Sequence, residues 1–339
     1  MKILVTGGSG FLGRTLVRKL LARGDIVRAL MRTPQPELAR EGCECLRGDI
    51  ADAACVRGAC AGCDAVFHTA AKTDLWGAYA GFVSTNINGT RNVIDGCRAA
   101  GVPFLVHTST PSVVYSGKSI AGGDESLPLV EKCSCAYPLT KAAAERIVLA
   151  ANENAALRTI ALRPHLIWGV GDPHLVPRVL NLARSGKLRM IGAGKNRVDL
   201  THIDNAVHAH LCALDVLCAG GEKADAAAGR AYFISDGAPV LLWQWINNLL
   251  RRLDMPPVTR RISTGRAFFA GTLTEILWKV IPLNNTAPPL TRFIAAQLAE
   301  DQWFDISAAR RNLAYSPAVS TDAAFEALVH SISHQGKRA

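Results

Sequence analysis

Three features of the sequence predict an α/β fold, a doubly wound parallel sheet of the Rossmann type with a smaller C-terminal lobe. First, a short uninterrupted apolar run, Lys2–Thr6, passes straight into GGSGFLG and a helical pattern over 14–23. Second, apolar runs at 26–31, 65–68 and 104–108 alternate with helical stretches such as 82–100. That order puts helices on both faces of a parallel sheet. Third, the regularity fades beyond Pro164, where loops at 169–173 and 191–196, a helix over 242–253 and a proline-rich break at 284–289 follow. The expected division is a Rossmann domain over 1–164, joined by one more strand at 231–235 (AYFIS), and a lobe built mainly from 165–334.

The chain has 339 residues, enough for both units, and 49% of them are hydrophobic, enough for a core that needs no disulfides. Only the polar tail, 335–339, reads as disordered. The net charge is +10, and the cations are scattered rather than gathered into an arm or stripe. This favours small anionic ligands over nucleic acid. Five of the ten cysteines crowd at Cys43, Cys45, Cys55, Cys60 and Cys63. Their spacing is irregular and no histidine cluster completes a ligand set, so no metal is expected. With no secretory segment before the first strand, they read as free thiols of a cytoplasmic protein. The most membrane-like stretch, 267–281, is too short to span a bilayer and is interrupted by Glu275 and Lys279, which argues against stable insertion. Phe269, Leu273, Ile276 and Leu277 share one helical face there. They are expected to wall a pocket for an apolar substrate.

The glycine turn carries the first chemistry. Gly7, Gly10 and Gly13 stand between a strand and a helix. Gly7 permits the tight turn, Gly10 lets the backbone approach a pyrophosphate, and Gly13 lets helix and strand pack closely. The pyrophosphate then meets the N–H groups and positive dipole end of the helix. Ser9, Phe11 and Leu12 share this loop. An acidic residue ending the second strand would accept from the adenosine ribose of NAD. Here the strand ends Leu30-Met31-Arg32, and a guanidinium suits a 2′-phosphate, so NADP(H) is the expected cofactor. Asp49 and Ile50, after a further short strand, are expected at the adenine.

Tyr137 and Lys141 lie four residues apart at the start of a helical run, hence on one face. A nearby ammonium lowers the pKa of a phenol toward use in proton transfer. Upstream, the strand 104–108 ends in Thr108-Ser109-Thr110, at the sheet edge where ligands bind. A hydroxyl there can hold a carbonyl oxygen. Thr110 is favoured, with Ser109 as the alternative. Arg163 has structural and substrate-binding readings of equal weight, and His165 and His202 read as packed histidines.

The motifs TGGSGFLG, HTAA (68–71), NINGTRNV (86–93), HTSTPSVVY (107–115), YPLTK (137–141) and RPHLIWG (163–169) occur in order. Through them the chain resembles the extended short-chain dehydrogenases, and their 3β-hydroxysteroid dehydrogenase branch more than the nucleotide-sugar epimerases. More narrowly, the stretches 70–102 and 105–115 resemble the bacterial 2-alkyl-3-oxoalkanoate reductases of olefinic hydrocarbon biosynthesis. The resemblance implies that Tyr137 donates the proton, that Lys141 binds the nicotinamide ribose, and that Thr110 serves as the catalytic hydroxyl. It adds Thr69, Ala70, Ala71 and Pro164 to the cofactor-binding set. It also places Met31 where the epimerases carry their acidic residue. The implied substrate is a long-chain β-keto acid, and the implied assembly a homo-oligomer, alone or with other enzymes of the pathway. Three rival readings are a sterol or steroid 3β-dehydrogenase using NAD, a nucleotide-sugar epimerase or dehydratase, and a non-catalytic NADP(H) sensor. The last would have no use for Tyr137 and Lys141.

Overall fold

Seven strands form one parallel sheet: β1 (Lys2–Thr6), β2 (Ile26–Met31), β3 (Glu44–Arg47), β4 (Ala65–His68), β5 (Phe104–Thr108), β6 (Arg158–Pro164) and β7 (Arg230–Ile234). Their spatial order is β3-β2-β1-β4-β5-β6-β7. The order reverses between β1 and β4, and the carboxyl ends of those two strands flank the crevice where such sheets take ligands. The computed structural model describes residues 1–153, 156–281 and 287–336. Within the expected proline-rich break, 284–286 lie outside the described residues, as do 337–339 of the expected tail. The terminal helix Thr321–Gly336 takes in the first two tail residues.

The unbroken apolar character of β1 has a packing cause. Ile3 and Val5 enter the hydrophobic cluster on one face of the sheet, and Leu4 enters the cluster on the other. A strand covered on both faces has no polar alternation. Each fully buried Leu, Ile or Val here contributes about 1.5–3 kcal/mol.

A second core collects around Trp168, Trp243, Trp245, Leu249 and Phe325. It is not cleanly separated in sequence. The strand Ile120–Gly123, which follows β5, pairs with Gln302–Phe304 near the end of the chain, and Phe304 stacks on Phe233 of β7 at 4.2 Å. The segment after β5 is thereby held between the sheet and the lobe, over the carboxyl end of β5. Among the described residues no helix is long and apolar enough to cross a membrane.

Candidate active site

The glycine loop is shaped by close approaches. Gly7 has φ +75°, and a β-carbon there would lie 2.8 Å from the backbone of Ala70. One on Gly13 would lie 2.2 Å from the carbonyl oxygen of Gly7, so the helix Phe11–Ala22 can approach the turn only with glycine at that position. Gly10 begins the helix without a side-chain cap, and no acidic residue occupies the first turn. The N–H groups of that turn are left to a ligand. Gly8, which the motif reading passed over, is as constrained: its β-carbon would meet that of Ala29 at 2.7 Å. Ser9, Phe11 and Leu12 are partly exposed around the loop.

Across the crevice, Thr69 donates from Oγ1 to the carbonyl of Thr6 at 2.7 Å, and the Ala70 N–H reaches Thr6 Oγ1 at 3.3 Å. The turn Thr69–Ala71 is thus laced to the glycine loop and forms its opposite wall. Met31 is buried beneath the loop, its methyl group close to Gly8, and Arg32 is exposed just past it. Arg47 stands beside Met31 in the strand register. Neither arginine is in an ion pair among the described residues. Asp49 is exposed and accepts from the N–H of Ala51 at 2.9 Å. The side chain of Ile50 is 5% exposed and packs on Gly89 inside the core. Pro164 is buried at the end of β6.

The helix Ala136–Ala150 carries Tyr137 and Lys141, with Pro138 in its first turn, where a missing N–H costs nothing. Tyr137 is partly buried, and the Thr110 hydroxyl lies near enough to its phenol to lower its pKa. Thr110 Oγ1 also accepts from the N–H of Ser112 at 3.2 Å, which fixes its rotamer. Ser109 does not join them: its N–H extends the strand to Leu162 O at 2.6 Å, and its buried hydroxyl has no partner among the described residues. Lys141 is buried, donates to the carbonyl of Thr108 at 2.6 Å and lies 3.2 Å from His107 Nε2. Burial brings the Lys141 ammonium down to about 7, and burial raises the Tyr137 phenol to about 12, against the lowering effect of Thr110. The expected lowering of the phenol by Lys141 is therefore not found, because the ammonium is turned to the end of β5. His107 is held neutral well below its ordinary range, first by burial and then by the Lys141 charge; neutral, it can accept from that ammonium.

Several residues around the site were given no individual role by the sequence. Asn86, in a π-helical turn, accepts from the Lys72 N–H at 2.7 Å and donates to Thr140 Oγ1 at 3.0 Å. It ties the segment after β4 to the Tyr137 helix. Tyr137 packs against one side of a small apolar cluster, Tyr115, Cys135, Phe293 and Ala296, whose edge it shares with Leu75, Cys133 and Phe268. Tyr115 and Phe293 meet edge to face at 5.2 Å. The helix Thr264–Val280 reaches this cluster through Phe268. Phe269, Leu273, Ile276 and Leu277 are 43–72% exposed and face away from it, so the face expected to wall a pocket is turned to solvent. Arg163 makes a buried ion pair with Glu145 at 2.6 and 3.0 Å, which ties β6 to the Tyr137 helix. His165 hydrogen-bonds the carbonyl of Asp199 at 2.8 Å, and His202 caps the helix Ile203–Ala219.

A switch-point crevice with a glycine loop, and a hydroxyl, a phenol and a lysine at the carboxyl end of β5, define the extended short-chain dehydrogenase class. The chain belongs to the 3-beta hydroxysteroid dehydrogenase/isomerase family, whose model matches residues 4–263, and it is an oxidoreductase of that family. It is 47% identical over 324 residues to the 2-alkyl-3-oxoalkanoate reductase of Stenotrophomonas maltophilia, covering 95% of this chain and 96% of that one. It is 40% identical to the protein of the same name from Shewanella oneidensis, over 97% of this chain and 85% of that one. It is 35% identical to the 3beta-hydroxysteroid-dehydrogenase/decarboxylase isoform 1 of Arabidopsis thaliana, over 98% and 79% respectively. Among solved structures it resembles a dTDP-glucose 4,6-dehydratase from Streptomyces venezuelae with NAD bound, with TM-score 0.74, 25% identity, and coverage of 99% of this chain and 98% of that one.

Proposed function

We propose that this protein reduces the 3-ketone of a long-chain 2-alkyl-3-oxoalkanoic acid to the 3-hydroxyl, with NADPH as the reductant, as a step in olefin biosynthesis. The observation that carries the reading is the juxtaposition of Thr110 and Tyr137 at the edge of an apolar cluster. That cluster suits alkyl chains better than a nucleotide sugar. The identity with two 2-alkyl-3-oxoalkanoate reductases supports the substrate class. The glycine cradle, which β-carbons would fill, fits a dinucleotide. The absence of an acid at Met31, with Arg32 and Arg47 nearby, favours the 2′-phosphate form.

Gly7, Gly10 and Gly13 would hold the pyrophosphate, Arg32 the 2′-phosphate, and Lys141 the nicotinamide ribose. Bound there, the reduced nicotinamide supplies a hydride to C3 of the ketone. Thr110 donates to the carbonyl oxygen and stabilises the developing alkoxide. Tyr137 gives its phenolic proton to that oxygen. A phenol raised to about 12 stays protonated throughout the physiological range, which suits a proton donor in reduction. Replacing Tyr137→Phe keeps the ring and removes the acid. Turnover should fall by at least about a hundredfold while NADPH binding, read by nicotinamide fluorescence, is retained. Near-wild-type turnover would sink the assignment.

A further inference from the structure

We propose that the outward face of the helix Thr264–Val280 docks this protein on the surface of an anionic lipid bilayer. Six of the ten large apolar side chains that stand exposed among the described residues lie in this one segment: Phe269, Leu273, Ile276, Leu277, Val280 and Ile281. At about 100° per residue, the first five fall within an arc of about 100°. Their stripe runs for about 16 Å along the helix. The opposite face, Ala267, Gly271 and Glu275, is buried, where Gly271 touches the backbone of Thr291 and Arg292 and Glu275 pairs with Arg292 at 2.7 Å. The helix is therefore fixed in orientation, and its apolar stripe faces solvent by construction.

Charge identifies the occupant. The segment leading into the helix pairs with the strand Met190–Ile191, so two stretches of chain lie side by side at its N-terminal end. Neither 173–198 nor 255–274 contains an acidic residue. Lys187, Arg189, Arg260, Arg261 and Arg266 gather there, and none forms an ion pair among the described residues. Arg266 occupies the first helical turn, where a cation opposes the helix dipole, and it lies on the same face as the stripe. Lys279 is exposed near the other end. A protein partner would want acidic counterparts and a shaped apolar surface. A flat apolar stripe with unpaired cations at its ends matches an anionic bilayer, the apolar residues entering the acyl boundary and the cations meeting the headgroups. Phe268, next to the stripe in sequence, faces the Tyr137 cluster. Docking would thus bring that side of the protein close to the phase into which long alkyl chains partition. Only this last consequence rests on the proposed substrate; the docking itself does not.

The test is flotation of the full-length protein with vesicles of phosphatidylcholine alone and with about one third phosphatidylglycerol, at low and high salt. The wild type should float with the anionic vesicles, weakly or not at all with the neutral ones, and be released by high salt. Leu273→Glu/Ile276→Glu and, separately, Arg260→Glu/Arg261→Glu should each lower the bound fraction at least about tenfold. Unchanged melting temperature and NADPH binding would verify folding. Sedimentation velocity without lipid completes the set, with the oligomeric state expected to be the same for all three proteins. Failure of the wild type to float, or equal flotation of the variants, overturns the proposal. Dissociation of a wild-type oligomer by the Leu273→Glu/Ile276→Glu change also overturns it, in favour of a second copy as occupant. No arm of the test uses turnover, so failure of the substrate assignment would be seen separately.

Discussion

Backbone geometry at the end of β5 separates two adjacent hydroxyls. Ser109 continues the strand, and its side chain is buried without a partner, whereas Thr110 turns out to cap the short helix Pro111–Val114 and meet Tyr137. Thr110→Ala should lower kcat at least about tenfold through loss of one donor to the alkoxide. Ser109→Ala should leave kcat within about twofold and hold or raise the melting temperature, because it removes a buried unsatisfied hydroxyl. Steady-state kinetics on the two variants separates the roles; equal losses would remove Thr110 from its place. Arg32→Ala should weaken NADPH by about ten- to a hundredfold, and NADH far less, since a charge-assisted contact to phosphate contributes about 1.5–3 kcal/mol. Equal effects on both cofactors would show that Arg32 does not read the phosphate. Tyr137 and Lys141 were legible in the sequence because a four-residue spacing on a helix is a geometric statement. The choice between Ser109 and Thr110 was not, since both stand in one run of hydroxyls. Asn86 and His107 each open a motif, but their pairings were not legible, because their partners, Thr140 and Lys141, are 54 and 34 residues away.

At the scale of elements, the helix Thr264–Val280 shows where periodicity misleads. Its apolar spacing was readable, and the usual inference turns such a face inward. Here small residues, Ala267 and Gly271, face the body of the protein and let it approach the Thr291–Ala295 region, while Phe269, Leu273, Ile276 and Leu277 face out. Phe268 brings a large ring from this helix to the Tyr137 cluster. Phe268→Ala should therefore change the dependence of kcat/KM on substrate chain length, and Phe269→Ala, 72% exposed, should leave both that dependence and the melting temperature as in the wild type. The reverse pattern would return the pocket wall to the Phe269 face. The glycine loop, by contrast, was readable residue by residue, because a missing β-carbon leaves few alternatives where a strand, a turn and a helix converge.

At the scale of the whole molecule, strand order follows from the alternation of strands and helices, and the order creates the crevice between β1 and β4. The sheet was legible for that reason. The pairing of Ile120–Gly123 with Gln302–Phe304 was not, because strands of four and three residues hold too little pattern to be told from loop. That pairing closes the segment between β5 and the Tyr137 helix against the lobe, and Phe293 and Phe268 put an apolar cluster on one side of Tyr137. An apolar cluster there predicts selectivity for alkyl ketones. Turnover of 2-alkyl-3-oxo acids of increasing chain length with NADPH, set beside a 3β-hydroxysterol with NAD and a nucleotide sugar, reads that selectivity directly. The 3-hydroxy acid should form, with kcat/KM rising at most about fourfold per added methylene, about 0.8 kcal/mol each, until the pocket is full. Oxidation of the sterol or conversion of the nucleotide sugar, with the oxo acids left unreduced, would contradict ketone reduction at Tyr137.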